Sequence, residues 1–227
     1  MAQSPIHRGL DLLAAAYPER SLDELAKLPI GVRDGMLMAL REEVFGPKLV
    51  CITNCPSCGE LLELTVDVED IRVQPSDSEA ILSVSKSGIE VQFRLPNSLD
   101  LIAVTDKQDV ADVSEFLIER CVVEVRQNGE ILSFAQLPSN VIEAIEERMA
   151  EADPQAAVSL DLSCPACGYK WQAAFDIVHF FWNEINAWAR RILQEVHFLA
   201  SAYGWSEGEI LAMSHLRRQV YLDLVTQ

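Results

Sequence analysis

The sequence predicts an α+β fold: helices at both ends, and between them a split four-cysteine zinc ribbon of two β-hairpin knuckles carrying an acidic α/β insertion. Three observations predict it. The motif Cys55-Pro56-Ser57-Cys58-Gly59 recurs as Cys164-Pro165-Ala166-Cys167-Gly168. Each copy lies between short runs in which apolar and polar residues alternate, as in a half-buried strand. Apolar residues at three- and four-residue steps, the mark of an amphipathic helix, occupy both ends of the 227-residue chain.

Taken in order, residues 8–17 read as a short helix stopped by Pro18. Ser21 and Glu24 form a capping box, and Leu25, Leu28, Val32, Met36 and Leu40 follow at helical spacing. Pro29 splits this stretch into a short turn and a longer helix over 30–45, which Gly46-Pro47 ends. Residues 48–54 and 60–68 form the arms of the first hairpin; Leu62, Leu64, Val66 and Val68 alternate with polar residues. Residues 74–79 are polar and turn-rich. Short strands are expected at 80–85 and 89–95 around a Lys86-Ser87-Gly88 turn, then helices at 98–104 and 108–121. Asn128-Gly129 signals another turn, and Pro138-Ser139-Asn140 opens a helix to about 151. Residues 156–163 and 169–175 form the second hairpin. A long helix over 177–202 carries Phe181, Ile185, Trp188, Ile192, Val196 and Leu199 on one face and ends at Gly204. A second capping box, Ser206 and Glu209, starts a last helical segment reaching Val225.

This gives five segments: a helical segment at 1–47, the first knuckle hairpin at 48–72, the acidic insertion at 73–155, the second hairpin at 156–176 and a helical segment at 177–227. The first and last share a pattern. Ser21-x-x-Glu24-Leu25-x-x-Leu28 matches Ser206-x-x-Glu209-Ile210-x-x-Met213, and Arg33, Met36 and Leu37 fall level with Arg218, Tyr221 and Leu222. Internal duplication and convergence of two capped helices both account for it.

The two knuckles supply four thiolates, the number a tetrahedral zinc site needs, so the expected ligands are Cys55, Cys58, Cys164 and Cys167 with Zn2+ as a structural ion. Four cysteines leave no open coordination position, which argues against catalytic zinc. Strands flank both knuckles, whereas a redox CxxC sits at a helix N-terminus. Cys51 reads as a buried strand residue and Cys121 as a core thiol. Of the four histidines, His179 and His197 sit on or beside the long helix with no carboxylate or Ser at a persuasive spacing. No phosphate-binding glycine loop, nucleophile elbow or HExxH motif is present, so no enzyme is expected. Core packing is the expected role of Trp171, Trp182, Trp188 and Trp205, with a partner-binding surface as the alternative.

Charge is distributed unevenly. Residues 59–163 hold 22 acids and 7 bases and carry most of the net charge of −17. A zinc-ribbon nucleic-acid-binding or regulatory protein is the alternative reading, but it needs clustered Lys and Arg to displace counterions from phosphates. This balance is the reverse, and fits a solvated surface or a face that meets a basic partner. The N-terminus lacks a basic region followed by an apolar segment, and no apolar run reaches the ~18 residues of a membrane span, so a cytoplasmic location is expected.

Several stretches carry a family resemblance. They are Asp153-Pro154-Gln155-Ala156 through the second knuckle, Phe180-Phe181-Trp182-x-Glu184-Ile185, and Leu193-x-Glu195-Val196-His197-x-Leu199-Ala200. Ala202-Tyr203-Gly204-Trp205-Ser206-Glu207, Glu209-Ile210-Leu211-Ala212-Met213 and Arg217-Arg218-x-x-Tyr221-Leu222 continue it. Phe45-Gly46-Pro47 and Arg94-Leu95-Pro96 also fit. Together they resemble the T4-type baseplate hub assembly chaperones of contractile phage tails and contractile injection systems. The resemblance implies a non-enzymatic protein that binds baseplate hub or wedge proteins, or is built into a phage-tail-like particle. It carries over the four cysteines as zinc ligands and nothing more.

Overall fold

A computed structural model describes residues 4–73, 81–105 and 110–225. The turn expected at 74–79 and the start of the helix expected at 108 lie outside these residues. The chain divides into two units, Met1–Val178 and His179–Gln227.

In the first unit, α1 (Pro5–Ala16) starts earlier than expected. Ser4 caps it, its hydroxyl accepting from the His7 amide, and Pro5 takes the first helical position, where no amide is needed. The Ser21 capping box begins α2 (Leu22–Ala26), and Pro29 separates it from α3 (Ile30–Phe45). Leu13, Leu25 and Leu37 are fully buried. Each such side chain contributes about 1.5–3 kcal/mol of transfer free energy.

The first hairpin pairs β1 (Lys48–Asn54) with β2 (Leu61–Asp67) antiparallel, with Cys51 opposite Leu64. Its second arm ends one residue early, because buried Val68 and Ile71 turn the chain into α4 (Val68–Ile71). Cys51 is only half-buried. The two-stranded hairpin has one well-covered face at best, so the expectation of a buried residue is corrected. The second hairpin pairs β7 (Ser159–Ser163) with β8 (Lys170–Ala174).

The insertion is built on an antiparallel sheet of order β3-β4-β5-β6, comprising Leu82–Lys86, Ile89–Phe93, Val122–Gln127 and Glu130–Ile131. Both Ser87-Gly88 and Asn128-Gly129 have positive φ at both positions, the geometry that matches hairpin twist. Three helices accompany the sheet: α5 (Ser98–Ala103), α6 (Val110–Cys121) and α7 (Ser139–Ala152). Val91 and Phe93 of β4, Ile118 of α6, Val125 of β5 and Val141 and Ile145 of α7 share one core. Strand β5 has no break from α6, and its alternation is too short to stand out in the sequence.

A buried polar junction ties the insertion to α3. The Ile30 amide donates to the Pro96 carbonyl, and the Gly31 amide to the Asp153 carboxylate at 2.9 Å. A Cβ on Gly31 would lie 1.8 Å from Asp153 Oδ1, so only glycine allows this approach. Arg33 binds Asp34 and donates to the Ser98 hydroxyl at 3.1 Å. Burial pushes the Asp34 carboxyl up to about 6, more than the pull of Arg33 lowers it. Asp100, 1% exposed, accepts two bonds from Arg94, one from Arg120 and one from the Asn97 amide. Burial alone would raise its pKa; these donors outweigh it and hold the carboxyl below the usual range. Gln155 closes the junction, accepting from the Val73 amide and donating to the Ile71 carbonyl.

The second unit contains most of α8 (Ile177–Tyr203), then α9 (Glu207–Leu211) and α10 (His215–Val225). Val196, Leu199, Ile210 and Leu222 form its core. Trp205 packs against this core, as expected, whereas Trp188 is 47% exposed and Trp171 and Trp182 are only part-buried, so core packing describes those three less well.

The two helical motifs correspond bond for bond. Leu25 N donates to Ser21 O as Ile210 N does to Ser206 O, and Arg33 N to Pro29 O as Arg218 N does to Ser214 O. The paired residues Leu25 and Ile210, Arg33 and Arg218, and Leu37 and Leu222 are all buried. Arg218 spends its charge on Glu195 at 3.2 Å and on the Met213 carbonyl.

Candidate metal centre

Each knuckle is closed by the same pair of backbone bonds. Cys55 N donates to Glu60 O and Gly59 N to Cys55 O; Cys164 N donates to Tyr169 O and Gly168 N to Cys164 O. The turn needs a left-handed residue at its end, and Gly59 and Gly168 provide it at φ 76° and 73°. The shared Cys-Pro-x-Cys-Gly pattern thus yields two thiol-presenting loops with the same backbone bonds, each held by a strand on either side.

The structure brings together all four cysteines singled out in the sequence. Cys55 Sγ lies 3.7 Å from Cys167 Sγ, and Cys58 Sγ lies 3.6 Å from Cys164 Sγ. The four sulfurs fall within 4.8 Å of one another. Zinc–sulfur bonds of about 2.3 Å in a tetrahedron place sulfurs about 3.8 Å apart, so the spacing fits such an ion. The first cysteine of each knuckle is buried and the second exposed. Cys51 and Cys121 lie outside the cluster.

Electrostatics within the cluster favour thiolate at one position. Burial raises the Cys55 thiol, but the amides of Cys58 and Ser57 and the thiols of Cys58 and Cys164 outweigh it and bring it down to about 7. At Cys58 the Glu60 amide lowers the thiol, yet the crowd of neighbouring thiols holds it up at about 12. A cation at the centre replaces this proton sharing with four thiolates. By contrast, burial pushes the Cys121 thiol up to about 11 despite the nearby Arg94 guanidinium, as suits a packed, inert cysteine.

The strongest local acidity lies elsewhere in the first unit. Glu115 and Glu119 of α6 and Glu143, Glu146, Glu147 and Glu151 of α7 are all exposed. Composition had located the charge in the insertion; only the fold shows that two adjacent helices carry much of it. The junction residues Asp100, Asp153 and Gln155 were not foreseen as a unit. The available signals were the Asn97 capping position and the Asp153-Pro154 break, neither of which names a distant partner.

A family model described as "T4 bacteriophage base plate protein" matches residues 10–182. The chain belongs to this baseplate family. The match spans both knuckles and the insertion between them, and supports the non-enzymatic assignment. No curated protein and no solved structure matches the chain at the significance required. Among the described residues, no helix of this baseplate-family protein is long and apolar enough to cross a membrane.

Proposed function

We propose that this chain is a baseplate hub assembly chaperone, or a resident baseplate component, of a contractile tail or contractile injection system. Its work is protein–protein binding, directed to hub or wedge proteins. The observation that carries the reading is the family match over 10–182, which includes the four-cysteine cluster. Zn2+ held by Cys55, Cys58, Cys164 and Cys167 acts as a clasp: it fixes the two hairpins together and so fixes the ends of the insertion between them. The chemistry it supplies is structural, because four thiolates fill its coordination.

The five segments of the chain then have distinct roles. The clasp at 48–72 and 156–176 fixes the two ends of the acidic insertion 73–155, and the helical segments 1–47 and 177–227 precede and follow it in the chain. The α6–α7 face is the surface best suited to a basic partner, since complementary charge speeds encounter and fixes orientation. Assembly of such machines places the chain in the cytoplasm before any incorporation into a particle. Pull-down with purified hub and wedge proteins at low salt tests this. Salt-sensitive capture of at least one, lost when Glu143, Glu146 and Glu147 become Gln, is the expected result. Capture of none at low salt removes the proposal.

A further inference from the structure

The four thiols of the clasp are not equivalent. The first cysteine of each knuckle is buried, Cys55 at 2% and Cys164 at 1% exposure, while the second, Cys58 or Cys167, is open to solvent. Sulfur contacts cross between the knuckles in the same way twice. Exposed Cys58 lies 3.6 Å from buried Cys164, and exposed Cys167 lies 3.7 Å from buried Cys55. A disulfide has its sulfurs about 2.0 Å apart, so a shift of roughly 1.6 Å brings either pair to bonding distance. The paired residues are 106 and 112 positions apart in the chain. A bond in either pair therefore ties hairpin to hairpin, as a shared metal ion does.

We propose that the clasp is also a peroxide-oxidisable site, in which Cys58–Cys164 and Cys55–Cys167 disulfides take over the joining of the hairpins. A peroxide meets the exposed sulfur first. The Cys58 sulfur attacks one peroxide oxygen, the O–O bond breaks, and the sulfur is oxidised to sulfenic acid as water leaves. The Cys164 sulfur then attacks that sulfur, the S–OH bond breaks, and a second water leaves. Cys167 and Cys55 react in the same way. For the zinc-loaded site, two peroxides and four protons give two disulfides, four waters and free Zn2+. Cross-knuckle bonds keep the long loop closed, whereas a bond within each knuckle would close only a turn and let the hairpins part. The clasp then holds in an oxidising compartment as well as in a reducing one. Neither pairing draws on the α6–α7 face, so hub binding is a separate matter.

Treatment of the full, zinc-loaded chain with hydrogen peroxide tests this. Zinc released to a colorimetric chelator should track disulfide formation, one ion for every two bonds. Mass spectrometry without reduction should show the loss of four hydrogens, with Cys58 linked to Cys164 and Cys55 to Cys167. The oxidised, zinc-free protein should unfold at a urea concentration about 1.5 M above that of the reduced, chelated protein. Cys55→Ser/Cys167→Ser keeps only the Cys58 and Cys164 pair, and it should oxidise to a disulfide at least ~10-fold faster than Cys164→Ser/Cys167→Ser, which keeps one knuckle's own pair. Both double variants lose two ligands alike, and the mapping of the wild type does not depend on them. Disulfides within the knuckles, oxidation past sulfenic acid without any disulfide, or an oxidised protein no more stable than the chelated one would each overturn the proposal. Zinc content before peroxide reports on the metal separately: a chain that held none yet forms both cross-knuckle bonds would refute the zinc clasp and support the pairing.

Discussion

Cys164→Ser is the substitution with the largest expected effect. Cys164 is 1% exposed, and its sulfur lies 3.6 Å from that of Cys58, 106 residues away. A cross-link closing so long a loop removes roughly 4.7 kcal/mol of denatured-state freedom in the chain-entropy treatment. Metal bonds stabilise further, so this value is a floor for losing the clasp altogether. With a urea m-value of about 3 kcal/mol per molar, the midpoint should fall by roughly 1.5 M. Zinc content, measured by plasma mass spectrometry after dialysis against a weak chelator, should fall from one ion per chain to almost none. Cys167→Ser removes an exposed ligand instead of a buried one and should lose zinc with less damage to packing. A Cys164→Ser protein that keeps its zinc, or that lacks it yet unfolds at the wild-type urea concentration, would refute the reasoning.

Four further outcomes follow from α3 and the junction around it. Gly31→Ala should destabilise by about 2–4 kcal/mol in urea titration, because its Cβ lands on Asp153 Oδ1 and displaces a buried hydrogen bond. Gly35→Ala, four residues on and in open space, should stabilise by up to ~1 kcal/mol from helix propensity, so equal effects of the two would contradict the packing. Asp100→Asn leaves Arg94 and Arg120 without their shared carboxylate and should cost about 2–4 kcal/mol, discounted for the partial exposure of both guanidinium groups. Asp34 sets a pH dependence: its folded pKa of about 6 exceeds the ordinary 3.8, so the fold prefers the neutral acid. That preference is fully present below about pH 4 and is lost as pH rises through about 6, so wild type should weaken relative to Asp34→Asn by on the order of 2–3 kcal/mol across this window. Urea midpoints of both proteins at each end of the window check it; a constant difference would show that the Arg33 pair, not burial, governs Asp34.

Local signals in the sequence were strong wherever structure is local. The knuckles, the capping boxes at Ser21 and Ser206, the Ser87-Gly88 and Asn128-Gly129 turns and the long α8 all need only neighbouring residues to form. The cysteine cluster was legible for a different reason: a repeated motif with a fixed ligand number demands that distant copies meet. Strand β5 and the junction were not legible. Val122–Gln127 becomes a strand because β4 offers it an edge, and Gly31 binds Asp153 because the insertion folds back on α3. No residue near either one announces the partner. The half-exposed tryptophans of 171–188 show the same limit, since an amphipathic face says which side is apolar but not what covers it.

The most direct test is affinity purification of the tagged chain from cells expressing the complete gene cluster, with mass spectrometry of the free pool and of assembled particles. Hub or wedge proteins should co-purify at near-stoichiometric yield in at least one fraction and disappear from the Cys164→Ser purification. Recovery of the chain without any baseplate protein in either fraction, at low salt and with zinc retained, would contradict the account.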